Sequence, residues 1–268
     1  MNRKKAHTRS PQPKIEQRTY SAPGAPPLVS KEEIILQQSL SLDAAVVNGL
    51  KQREINVKEA FTIRDATGTF YRASLKEMRG DSGQALPYEK MERSPEPLIH
   101  LTLACSVLGR QRMLFVMQKA TELGVSEIYP LLTEFSVPTA DLEHEKASAW
   151  PGQILRAARQ CRRSSLPELH APTTLDAFLE SSTCKSANVR VVLDDRSEPN
   201  QSTPSTVRRV VLLVGPEGGF SEPERERLKG ITQPWVLGGR ILRAETAVVA
   251  GLTAVQMAWG DYAPLISR

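Results

Sequence analysis

The chain is poor in the residues that most often announce chemistry. It has three cysteines, four histidines and only 5% aromatic residues. Cys105, Cys161 and Cys184 are odd in number, far apart and without a CxxC pair. That spacing excludes a disulfide framework or a zinc ribbon and suits a reducing compartment. His7, His100, His144 and His170 are equally scattered. His144 has no second histidine four residues on, so a metalloprotease helix is excluded. Each histidine reads as a surface or core-edge side chain, and no metal is expected. No purely apolar run is longer than that from Val210 to Val214, far short of the roughly 20 residues a membrane helix requires. No P-loop and no G-x-G-x-x-G dinucleotide motif occurs.

What is present is ordinary globular composition, 40% hydrophobic and 24% charged over 268 residues, enough for two domains or one large one. The net charge is +5, but it is unevenly placed. Residues 1–15 contain Arg3, Lys4, Lys5, Arg9 and Lys14 with no acid, so the remaining residues balance thirty bases against thirty acids. A basic total therefore says nothing by itself about nucleic acid. Residues 1–17 read as a disordered basic arm; they lack a secretory h-region, and Pro11 and Pro13 oppose an amphipathic transit helix. Cytoplasm is the default expectation.

Residues 18–93 read as a small, mainly β unit. Phe61–Ile63 and Thr69–Leu75 are β-like, with turn chemistry at Asp65-Ala66-Thr67-Gly68. A linker at Ser94-Pro95-Glu96-Pro97 follows. From 94 to 268 strands and helices alternate. Ile99, Leu101 and Leu103 suit a strand, and Met113, Val116, Met117 and Ala120 follow helical spacing up to a C-cap at Gly124. A strand from Val125 to Leu132, a helix over 141–163, a helix capped by Thr174 and buried strands at Val189–Leu193 and Arg209–Val214 come next. A short strand at Pro234–Leu237 and a helix from Glu245 to Trp259 end the pattern. The fold class expected is α/β with a parallel sheet covered on both sides.

Two glycine loops leave the C-terminal ends of strands, the edge where open α/β sheets bind ligands. The first is Gly215-Pro216-Glu217-Gly218-Gly219, followed by the capping-box pair Ser221 and Glu224. The second runs from Leu237 through Gly238 and Gly239 to Arg243, Glu245 and Thr246. Either alone fits a tight turn. Arg243 at a helix start is opposed by the helix dipole, which hints at a ligand, although a salt bridge with Glu245 is the plainer alternative.

At these residues the sequence resembles the RsmE family of SPOUT-type methyltransferases, which methylate N3 of a uridine in small-subunit (16S) ribosomal RNA. The resemblance rests on Leu213–Phe220, Leu237–Thr246 and Gln118–Val125. It implies a C-terminal α/β trefoil-knot domain, an N-terminal PUA-like RNA-binding barrel, a homodimer and S-adenosylmethionine as cofactor. It further implies that Leu193, Gly215 to Gly219, and Leu237, Gly238, Ile241, Leu242 and Arg243 surround the cofactor. Arg243 would stabilise the uridine anion or a flanking phosphate, with Glu217 or Glu245 as the base. Arg156, Arg159 and Arg163 share one helical face and, with Lys119, are the expected RNA contacts, the partner being small-subunit RNA or the assembled subunit. The family patterns absent here lie in the RNA-facing segments: Arg112-Met113-Leu114, Arg159–Arg163, Leu50–Arg53, and Phe135 where an arginine is common. An RNA-binding protein of this fold without turnover, or a methyltransferase for another nucleoside, is the alternative.

Overall fold

The computed structural model describes residues 20–194 and 206–262; the basic arm lies outside them. A four-stranded antiparallel sheet comes first, built from β1 (Leu40–Leu42), β2 (Ala60–Arg64), β3 (Phe70–Arg79) and β4 (Ser82–Lys90) in the order β1-β4-β3-β2. Asp65 makes the expected turn. Its Oδ1 accepts from the amides of Thr67 and Thr69 at 2.9 Å each, and Gly68 takes φ +92°, a conformation cheap only for glycine. The sheet also carries a helix that the β reading passed over, α1 (Ala44–Gln52). Asp43 caps it by accepting from Val46 N at 3.0 Å, and Val46, Val47 and Leu50 pack under it.

The second sheet has seven parallel strands. They are β5 (His100–Ser106), β6 (Glu127–Leu132), β7 (Glu168–Leu169), β8 (Thr173–Thr174), β9 (Val189–Leu193), β10 (Arg209–Val214) and β11 (Gln233–Trp235). The order is β11-β9-β10-β5-β6-β7, with β8 also on β6. Period-two alternation sends Val210, Leu212 and Val214 into one core and Val211 and Leu213 into another. The first face is covered by α2 (Arg110–Glu122), α3 (Trp150–Gln160) and α7 (Ala244–Trp259). The second is covered by the short helices α4 (Leu175–Leu179), α5 (Ser182–Ser186) and α6 (Glu222–Leu228). Burial on both faces explains why the strands read as continuous Val/Leu runs.

Most predicted elements recur within a residue or two, including the Thr174 cap and the left-handed Gly124 at φ +81°. The helix expected over 141–163 is shorter at both ends. Lys146 sits at φ +51° and Pro151 occupies the first helical turn, so the regular helix starts at Trp150. It ends at Gln160, and Arg162 turns left-handed at φ +66°.

That left-handed turn matters because residues 162–165 join the two sheets. Arg53, buried in the first sheet's domain side, donates to Ser164 O through Nε at 3.0 Å and Nη2 at 2.6 Å. Ser164 Oγ donates to Thr62 O at 3.0 Å, and Thr62 Oγ1 donates to Arg162 O at 2.8 Å. The chain from Tyr20 also bridges both parts: Tyr20 packs in the large core, and Ala22 and Ala25 pair with Leu169 and Leu166.

Candidate functional site

Parallel pairing places three strand ends side by side. Leu193, the last residue of β9, is in register with Val214 of β10 on one side and with Trp235 of β11 on the other. The loops leaving these ends therefore emerge together and enclose a cavity of about 270 Å³. Its walls include Leu193, all of Gly215 to Gly219, and Leu237, Gly238, Ile241 and Leu242. Every residue expected around the cofactor thus converges here except Arg243, which lies beside Ala244 of the lining as the N-cap of α7.

Glycine is required at specific points. Gly219 and Gly238 take φ +72° and +78°, and a Cβ on Gly215 would stand 3.2 Å from both Gly219 C and the Phe220 ring. Gly251 in α7 serves the site indirectly. A Cβ there would come within 2.8 Å of Leu193 Cδ1, so its absence leaves room for the Leu193 side chain that lines the cavity.

Several residues of the site were not legible in the sequence. Asp194 and Arg225 both line the cavity and form a bidentate, largely buried ion pair, with Nη2 to Oδ1 at 2.8 Å. It ties α6 to the end of β9. The two residues are separated by 31 positions, and only their places after a strand and inside a capped helix offered a signal. Phe135 packs against Gly218, whose Cβ would meet the Phe135 side chain at 3.1 Å, and is itself half exposed. Glu134 N donates to Glu224 Oε1 at 2.9 Å, which couples the loop after β6 to α6. Of the expected capping box, the half from Ser221 N to Glu224 Oε2 forms at 2.9 Å, whereas Ser221 Oγ is buried without a partner.

The charged candidates separate clearly. Glu217 is exposed and paired with Arg112 of α2. Arg243 is exposed, and among the described residues it makes no ion pair, so the plain salt bridge to Glu245 is not formed. Glu245 stands in the first turn of α7, half-buried, and its Oε2 is enclosed without a hydrogen-bond partner. Cys105, in register with Val214, is fully buried, and burial pushes its thiol up to about 12. It is therefore no nucleophile.

The arginine stripe requires correction. Arg163 does not lie on α3; it follows the left-handed turn and is buried, donating to Val125 O at 2.7 Å, Thr121 O at 3.2 Å and Glu96 Oε2 at 3.3 Å. With its guanidinium enclosed this way, it cannot contact a phosphate. Arg159 pairs with Glu59 at 2.5 Å and Arg162 with Glu89 at 3.0 Å, both acids belonging to the first sheet's region. Of the three expected arginine contacts, Arg156 alone stays exposed, bonded to Gln153 at 2.7 Å. Lys119 is partly buried, 2.7 Å from Glu122 and over the Phe115 ring.

A model of the RNA methyltransferase domain family matches residues 94–256. The ribosomal RNA small subunit methyltransferase E of Mesomycoplasma hyopneumoniae is 32% identical over 176 residues, 65% of this chain and 76% of that protein. The same enzyme from Neisseria gonorrhoeae, solved bound to S-adenosylmethionine, has 26% identity and a TM-score of 0.62, covering 88% of this chain and 99% of that one. A Legionella pneumophila methyltransferase solved with bound S-adenosylmethionine has 29% identity and a TM-score of 0.61, covering 88% and 98%. Its three strand-end loops, its two glycine turns and these likenesses agree, and the chain belongs to the ribosomal RNA small subunit methyltransferase E family.

Proposed function

We propose that this protein methylates N3 of a uridine in small-subunit ribosomal RNA using S-adenosylmethionine. The observation that carries the reading is the convergence of the loops after β9, β10 and β11 on one cavity. The residues present fit the cofactor. Leu237, Ile241 and Leu242 offer apolar surface for a flat ring, and the glycine turns expose backbone amides and carbonyls without side chains in the way. When bound, S-adenosylmethionine supplies an electrophilic methyl group on a sulfonium.

The chain's own residues must then orient the uridine and manage a proton. Holding a nucleophile in line is worth on the order of 7 kcal/mol, and the Asp194–Arg225 clamp and the Phe135–Gly218 contact keep the cavity wall in place for it. The uridine N3–H must be lost as the N–C bond forms. Glu245 is the better candidate acceptor, because Oε2 has no partner to surrender, whereas Glu217 is committed to Arg112. Arg243, exposed and next to Ala244 of the lining, would stabilise the uridine anion or a neighbouring phosphate.

For RNA, Arg156 and Lys119 remain the candidate phosphate contacts, with Phe135 as an exposed ring on which a base can stack. The reading includes a trefoil knot over 94–268, a PUA-like barrel over 18–93, a homodimer and a cytoplasmic setting. No helix among the described residues is long and apolar enough to cross a membrane.

The test is nucleoside mass spectrometry of small-subunit RNA incubated with the protein and labelled S-adenosylmethionine. Label in 3-methyluridine is expected. Cofactor binding without any transfer would favour an RNA-binding protein lacking turnover, and label in another nucleoside would move the target.

A further inference from the structure

The opposite edge of the large sheet, where the strands begin, carries a second cluster. Glu127 opens β6 and is in register with Glu168 of β7. Register neighbours point to the same face, so two carboxylates stand side by side, an arrangement that favours positive charge beside them. Two residues further on, the same face carries Tyr129 and His170, whose rings stack with centroids 3.7 Å apart. The ladder extends to His170, whose N–H donates to Ile128 O at 2.9 Å. The imidazole touches both acids: Nε2 lies 2.9 Å from Glu127 Oε2 and Nδ1 lies 3.7 Å from Glu168 Oε1.

We propose that Glu127, Glu168 and His170 bind a divalent transition-metal ion of the zinc class. One ligand atom from each lies within 4.8 Å of the other two. Around a tetrahedral ion with bonds of about 2.0–2.2 Å, ligand atoms stand roughly 3.4 Å apart, so small side-chain rotations close the set. The imidazole nitrogen favours zinc over a hard cation such as magnesium, which oxygen ligands alone would suit, and the two positive charges answer the paired carboxylates.

An outer layer that would orient these ligands is already built. His100 Nε2 holds Glu127 Oε1 at 2.6 Å, and Thr183 Oγ1 reaches Oε2 at 3.1 Å. The Tyr129 ring fixes the imidazole plane. Such partners commonly tune metal affinity by about 10–100-fold. Glu168 is half exposed and lines a surface cavity with His100 and Glu127, which leaves an entry path and a position for water. Because the cluster sits at strand beginnings and the glycine loops at strand ends, the ion would brace β5, β6 and β7 without competing for the methyl-transfer cavity.

The experiment uses untagged full-length protein stripped with a chelator. It is titrated with zinc chloride by calorimetry and with cobalt chloride by visible absorption. One ion per chain, cobalt ligand-field bands and a zinc-dependent rise in melting temperature are expected. His170→Gln and Glu168→Gln should each weaken zinc binding at least about tenfold, and His100→Ala by roughly tenfold, with S-adenosylmethionine affinity unchanged in all three. Wild-type protein that takes up no zinc, variants that bind it as wild type does, or a melting temperature indifferent to zinc would each overturn the proposal.

Discussion

The arginine-rich segment 156–163 and the two glycine loops both stand out in the sequence, yet they meet opposite fates. The arginines are largely consumed inside the molecule: Arg159 by Glu59, Arg162 by Glu89, and Arg163 by Glu96 and two carbonyls. The glycine loops stay open, and Ile241 beside them is 90% exposed. Charge is portable, because a cation pairs with whatever acid the fold brings near. A positive φ at a strand end is not, because it marks a backbone shape that only glycine tolerates cheaply. Conspicuous charge therefore located a junction between sheets, and conspicuous glycine located a cavity.

The sharpest way to break this contrast is Arg163→Ala. Leaving Glu96 and two carbonyls without their buried partner should cost about 3–5 kcal/mol of stability, read by chemical denaturation. An RNA affinity that falls instead, with stability intact, would restore the phosphate-contact reading. Arg243→Ala should do the reverse: melting temperature unchanged, and roughly 2–4 kcal/mol lost from transition-state stabilisation in methyl-transfer kinetics. Gly238→Ala should cost about 1–2 kcal/mol through its left-handed backbone, seen by calorimetry as weaker S-adenosylmethionine binding.

Smaller effects sharpen the comparison further. Arg156→Ala should reduce the salt slope of RNA binding by about 1, while Arg159→Ala leaves it unchanged. Asp65 offers a pH test outside both regions. Burial alone would raise its carboxyl, but hydrogen bonds from Thr67 and Thr69 outweigh that and hold it below the usual aspartate range. Its stabilisation is thus present above the ordinary aspartate pKa and is lost as pH falls through the depressed value. Asp65→Asn should flatten that part of the acid unfolding curve.

Local signals were legible wherever the physics is local. The Thr174 cap, the Asp65 turn, Gly124 and the Val/Leu strands could be read because each depends on a few neighbouring residues. The core face of α2 followed from helical spacing. Helix α1 carries the same kind of signal in Asp43 and the Val46–Leu50 spacing, but the short β-like runs that follow it dominate the pattern of residues 18–93. The overlong helix over 141–163 was an error of boundary, decided by the left-handed Lys146 and Arg162, which side-chain spacing does not report.

By itself, the sequence determined the alternation of strands and helices, the two glycine turns and hence the edge at which a ligand sits. Periodicity and positive-φ preference act within one or two turns of chain. Only the tertiary structure decided which distant residues meet. The register of Leu193 between Val214 and Trp235 assembles the cavity. The 31-residue reach from Asp194 to Arg225 braces it. Two histidines that looked unrelated, His100 and His170, close on one carboxylate, Glu127. Strand register and sheet order set those meetings, and both are products of the whole packed core rather than of any segment within it.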